Sequence, residues 1–186
     1  MANISMNEIP LMCHPQSLHG GVEAIKVTVK RGQNGEIELV YRVMGALEEL
    51  KIASPATPDR VDGLWKNTCF EFFVKNSAAT AYLEYNFAPS GQWAAYQFSG
   101  YRADMAELQT EAPTISSTDG DQFLTVSVTL QLPDTWQNAD LWAGISVVAA
   151  TQSGDIAYWA FVHPPGNPDF HHKDCFALQL EARSAA

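Results

Sequence analysis

Charge is scarce in this chain, and positive charge scarcest. Only 17% of its 186 residues are Asp, Glu, Lys or Arg, and 11 basic residues stand against 21 acidic ones, for a formal net charge of −10. A surface of that sign repels phosphate backbones and anionic headgroups, so neither nucleic-acid nor membrane partners are expected. No apolar run approaches the roughly 20 residues that span a bilayer as a helix. Cysteine is limited to Cys13, Cys69 and Cys175. The number is odd and contains no Cys-x-x-Cys pair, which removes thiolate zinc sites and thioredoxin-like redox chemistry. The Gly-x-Ser-x-Gly elbow of serine hydrolases and the Gly-rich phosphate cradle are missing too. Gly20-Gly21 is a lone pair, and Ser90 belongs to the turn Pro89-Ser90-Gly91. The opening Met1–Pro10 lacks the basic and apolar regions of a secretory leader, so a cytoplasmic protein with reduced thiols is expected. What is present is enough apolar material for a sizeable core, 46% of residues. The implied ligand is neutral, cationic or metal-bridged.

Period-2 alternation dominates the chain. Ile25, Val27 and Val29 alternate with Lys26, Thr28 and Lys30, and Ile37, Leu39, Tyr41 and Val43 alternate with Glu36, Glu38 and Arg42. Asn34-Gly35 between them tolerates positive φ and marks a hairpin turn. Further strands are expected over 69–75, 81–88, 92–98, 123–132, 141–151, 157–162 and 175–181. Brief helical character is expected only over 44–51 and 103–110. About ten short strands with regularly spaced turns predict an all-β, antiparallel sandwich or barrel. Without a repeat or linker, the chain reads as a single domain over residues 1–186, with its core at about 20–182.

Strand parity sorts the polar residues that are hard to place on a solvated surface. Phe70, Phe72 and Val74 share one face of their strand, leaving Cys69, Glu71 and Phe73 on the other. On the next strand Tyr82, Glu84 and Asn86 oppose Leu83, Tyr85 and Phe87. If the two strands are neighbours, Glu71, Glu84 and Asn86 can share a face rich in carboxylate, amide and aromatic groups. That mixture suits a carbohydrate, whose hydroxyls bond to polar groups while its C–H faces stack on aromatic rings.

The segments Leu64-Trp65, Cys69-Phe70-Glu71-Phe72-Phe73 and Tyr82 through Trp93 carry a resemblance. Together they look like the superfamily of DOMON-like domains and family 9 carbohydrate-binding modules. Tyr101-Arg102, Tyr158-Trp159 and Pro168-Asp169-Phe170-His171-His172 are similar to a bacterial branch of it, and the likeness runs from about Val22 to Leu180. It implies a jelly-roll-like antiparallel β-sandwich that binds, without transforming, a small carbohydrate or glycan end. It also implies a clamp of two tryptophans, Trp65 and Trp159, with Glu71, Asn86 and Arg102 bonding hydroxyls. No cofactor is implied. Other members of the superfamily bind haem through Met and His, but no motif pairs Met105 with His163.

The loop from His163 to Asp174 holds three of the five histidines. His163, Asp169 and His171 are the candidates for a metal there, although no established ligand spacing such as His-Glu-x-x-His occurs. The competing reading is structural: Pro and Gly fix the loop, Asp169 bonds backbone amides and an imidazole caps the sheet end, while the loop can also wall a sugar site with His171 or His172 as a hydrogen-bonding group. Two alternatives to sugar binding follow. One is an enzyme, using this loop as a metal site or Glu71 and Glu84 for glycoside hydrolysis. The other is a protein-interaction module built on the aromatic patch.

Overall fold

The computed structural model describes residues 8–181. Most of the opening Met1–Pro10, and the far end of the expected core, lie outside that range. Twelve strands account for the architecture: β1 (Ile9–Cys13), β2 (Val22–Arg31), β3 (Glu36–Gly45), β4 (Cys69–Asn76), β5 (Tyr82–Phe87), β6 (Trp93–Phe98), β7 (Ala106–Glu107), β8 (Thr114–Gly120), β9 (Phe123–Gln131), β10 (Leu141–Ala150), β11 (Ile156–Ala160) and β12 (Leu178–Leu180). They are ordered β7-β6-β5-β4-β10-β11-β1-β2-β3-β9-β8, with β12 paired to β10 as well. Every strand pair is antiparallel. The expected all-β sandwich is therefore present, made by curling one sheet so that its halves face each other. β1 is the seam, bonded to β11 on one side and β2 on the other.

The β2–β3–β9 half follows the sequence alternation. Ile25, Val27, Ile37, Leu39, Tyr41 and Val43 are buried, as are Leu124, Val126 and Val128, and their outward neighbours carry the polar groups. Asn34 and Gly35 take φ of 57° and 79° in the turn after β2, the left-handed geometry their side chains allow.

The other half differs. β4 and β5 are buried at nearly every position. Their inner face (Phe70, Phe72, Tyr85, Phe87) joins the main core. Their outer face carries a second apolar cluster that includes Phe73, Tyr82, Tyr96 and Phe98. A strand covered on both sides has no reason to alternate, which is why this stretch reads as a near-continuous apolar run. Tyr41 spans the sandwich, its hydroxyl donating to the Glu71 carbonyl at 2.9 Å while its ring meets Phe70 edge-on at 5.1 Å.

Sequence expectation and structure part in three places. The brief helices expected at 44–51 and 103–110 are a 3-10 turn at Leu47–Glu49 and the two-residue strand β7; no α-helix occurs among the described residues. The stretch expected as a strand over 175–181 is a 3-10 turn, Lys173–Cys175, followed by the shorter β12. β1 and β8 are strands that alternation does not announce. β1 contains Pro10, and β8 is a polar edge strand, Thr-Ile-Ser-Ser-Thr-Asp-Gly, with the composition that discourages edge-to-edge pairing.

Because the Tyr41 hydroxyl is wholly buried, Tyr41→Phe leaves the Glu71 carbonyl without that donor. The variant is expected to lose about 1 kcal/mol of unfolding free energy, read as a lowered urea midpoint at unchanged m-value.

Candidate functional site

The outer face of β4 and β5 becomes a site because three connecting segments fold over it: the turn around the 3-10 helix Leu64–Lys66, the turn after β6, and the loop between β11 and β12. Together they leave a cleft of about 480 Å³, within the range of small-molecule sites. Its base is set by register. Glu71 lies opposite Asn86 and Phe73 opposite Glu84 across β4–β5. Ser146 of β10 lies opposite Glu71, and Val148 opposite Tyr158 of β11. Glu71, Phe73, Glu84 and Val148 line this base; Trp65, Phe98, Tyr158 and Phe170 add aromatic surface, and Arg102 and His171 add polar groups.

The two glutamates are nearly inaccessible, 3% and 5% exposed. Ser146 Oγ donates to Glu71 Oε2 at 2.8 Å, and Asn86 Nδ2 to Glu84 Oε1 at 2.7 Å. The Cys69 thiol faces Asn86 Oδ1 at 3.7 Å. Burial, then the neighbouring Glu84 charge, push the Glu71 carboxyl up to about 8, against the opposing pull of Ser146 and Arg102. Burial pushes Glu84 up to about 7, opposed by Asn86 and Arg102. Both acids are thus pushed above the ordinary carboxylate range, because Arg102 makes up only part of the lost hydration.

The polar groups above them are fixed by a small network. Arg102 sits in a turn with φ of 51° and donates from Nη2 to Asp169 Oδ1 at 2.9 Å, while the Tyr101 hydroxyl donates to Asp169 Oδ2 at 2.7 Å. Burial alone would raise Asp169, but these donors outweigh it and hold the carboxyl below its usual value. The Arg102 backbone N–H donates to the Tyr82 hydroxyl at 3.2 Å. The same hydroxyl is hydrogen-bonded to His171 Nδ1, 2.8 Å away. Burial, and then Arg102, push His171 down to about 4, so its ring is neutral. Its 3.8 Å approach to Glu84 Oε2 is therefore not an ion pair.

Of the residues predicted from sequence, Trp65, Glu71, Arg102 and His171 come together at the cleft, and Glu84 with them. Asn86 is wholly buried and acts on the cleft only by holding Glu84. Trp159 is not in the cleft. It packs in the main core, 4% exposed, with its Nε1 unbonded among the described residues. Its strand register explains the correction: Tyr158 and Ala160 share a face with Val148 and Ser146, whereas Trp159 pairs with Val147 on the core side. Alternation along β11 distinguishes the two positions, and the motif likeness obscured it. Ser146 was missed because it lies on β10, outside every motif, and Phe98 and Phe170, though on or beside motif segments, were not singled out because apolar rings read as core.

The histidine loop does not gather a metal site. His163 Nε2 bonds the Met12 carbonyl at 2.8 Å, Asp169 is engaged by Tyr101 and Arg102, and His171 by Tyr82. Among the described residues no group of three or more His, Cys, Asp or Glu side chains is placed to hold a metal. Met105 reaches the cleft; His163 is not among its lining residues.

No protein-family model matches the chain, and no curated protein does. Solved structures do match it in fold. A candidate carbohydrate-binding protein from Bacteroides uniformis superposes with a TM-score of 0.67 at 13% identity, over 92% of this chain and 84% of that one. A family 9 carbohydrate-binding module from Caldicellulosiruptor kristjanssonii, in complex with glucose, superposes at 0.61 and 10% identity, covering 95% and 86%. A structure of such a module from the same organism, with cellotriose, gives 0.62 and 12%, covering 96% and 84%. The fold is that of family 9 modules.

Raised acids make stability depend on pH with a definite sign. The folded state holds the Glu71 and Glu84 protons more tightly than the unfolded chain, so their contribution is full below about 4.5 and is lost as pH rises through about 7 and 8. Glu71→Gln removes one share of that loss. Between pH 5.5 and 8.5 the variant is expected to gain about 1 kcal/mol or more relative to the parent, measured by chemical denaturation at both pH values. An unchanged difference would make Glu71 an ordinary ionised carboxylate.

Proposed function

We propose that the cleft binds one ring of a small carbohydrate or glycan end and does not transform it. The observation that carries this reading is the pairing, in one concavity, of a buried carboxyl floor with aromatic walls. Pyranose rings present the same division, with polar groups around the edge and apolar C–H faces. Trp65 supplies the stacking surface. With Trp159 in the core, the two-tryptophan clamp is not available, and Tyr158 and Phe170 are the other aromatic groups beside the ring. Glu71, Arg102 and His171 bond hydroxyls, Asn86 keeps Glu84 in position, and Glu84 joins the set.

Two further points support it. Solved structures of the same fold hold glucose and cellotriose. Acid–base hydrolysis of a glycoside needs two carboxyls whose proton affinities are pushed apart. Here the same cause, burial, drives both Glu71 and Glu84 upward, which favours binding over hydrolysis.

Titration of tryptophan fluorescence with a panel of mono- and oligosaccharides tests the proposal. A saturable response is expected, weakened about tenfold or more in Trp65→Ala through loss of the stacking contact. A panel without any response, confirmed by calorimetry, removes the carbohydrate assignment.

A further inference from the structure

We propose that the sugar this cleft selects carries an ammonium group, seated between the Glu71 and Glu84 carboxyls, so that the ligand is an amino sugar and not a neutral one. This deepens the carbohydrate reading and rests on it.

The floor offers acceptors without a cation. Ser146 occupies only Oε2 of Glu71 and Asn86 only Oε1 of Glu84. Among the described residues the other oxygen of Glu71 has no hydrogen-bond partner. That of Glu84 has His171 Nε2 at 3.8 Å, beyond hydrogen-bond range. Register sets the two acids diagonally on adjacent strands, close enough for one group to meet both. An ammonium brings three donors and one positive charge to this place.

The surrounding charges agree. From β4, β5, β6 and β10 the groups facing the pair are Cys69, Tyr82, Asn86, Tyr96 and Ser146, all uncharged; Tyr96 in turn donates to Asp62. From the loops come Arg102, Asp169 and neutral His171. Arg102 is half exposed and paired with Asp169, so its pull on the two carboxyls only partly offsets their burial. Lys75, on the same face of β4, holds its Nζ over the Phe176 ring at 5.2 Å. Three acids therefore face one guanidinium. Trp65, Phe73 and Phe98 add π surfaces that attract a cation, and the net charge of −10 draws cations toward the molecule.

A neutral sugar can bond this floor only while the acids stay largely protonated, because hydroxyls bring no charge to balance two buried carboxylates. An ammonium lets both ionise. Its binding must therefore expel protons held by Glu71 and Glu84, and that release separates the two ligand classes.

Calorimetry at pH 6.5, in two buffers of different ionisation enthalpy, tests this with glucosamine, glucose, N-acetylglucosamine and cyclohexylamine. Glucosamine is expected to bind at least tenfold more tightly than glucose or N-acetylglucosamine and to release protons, while glucose releases none. Glu71→Gln and Glu84→Gln are expected to abolish both the preference and the release. Proton release by the parent protein keeps the test decisive even if a variant fails to fold. Equal affinity for glucose and glucosamine, or glucosamine binding without proton release, overturns the ammonium site and leaves the sugar assignment standing. Cyclohexylamine binding as tightly as glucosamine, with no neutral sugar bound, overturns the sugar assignment instead. No binding by any of the four overturns both.

Discussion

Two carboxylic acids sunk in a sheet that is covered on both sides, with Arg102 only partly offsetting their burial, are the constraint around which this molecule is organised. Burying such groups is unfavourable unless each is held by donors or kept protonated. The chain does both. Ser146 from β10 and Asn86 from β5 hold one oxygen each, and the protons stay on far above the usual range. A hydrophobic sandwich needs none of this. The inner faces of the two halves already form one apolar core, so the acids serve the outer face, where the connecting segments leave a cleft.

Those segments are themselves tied down from below. The Tyr82 hydroxyl, on β5, accepts from the backbone of Arg102 and is hydrogen-bonded to His171, joining the turn after β6 to the loop after β11. Arg102 and Tyr101 then clasp Asp169. The absent side chain of Gly144 lets the Cys175 carbonyl lie against β10, at 3.1 Å from where a Cβ would stand. The walls are therefore positioned by the same strands that supply the floor, which keeps the geometry of the cleft coupled to the register of the sheet.

Much of this was legible before any coordinates. Alternation located β2, β3 and β9 and their buried face, and parity put Glu71, Glu84 and Asn86 together, because a two-residue period is a local property of the chain. What stayed hidden was non-local. Ser146 is 75 residues from Glu71, and only the pairing of β10 with β4 brings them together. Trp159 carried the stronger chemical suggestion, yet Tyr158 faces the cleft, since which parity points inward depends on the neighbouring strand. β1 and β8 lacked a signal for opposite reasons: one contains a proline, and the other has little apolar face at all.

The seam strand has one more consequence. Ile9–Cys13 hydrogen-bonds to β2 on one edge and β11 on the other, so it joins two open sheets into a continuous wrap. Peeling it away would bare two rows of unsatisfied amides and carbonyls at once, each able to recruit a strand from another molecule. Keeping β1 seated on both neighbours keeps those two edges covered, at a place in the fold apart from the cleft.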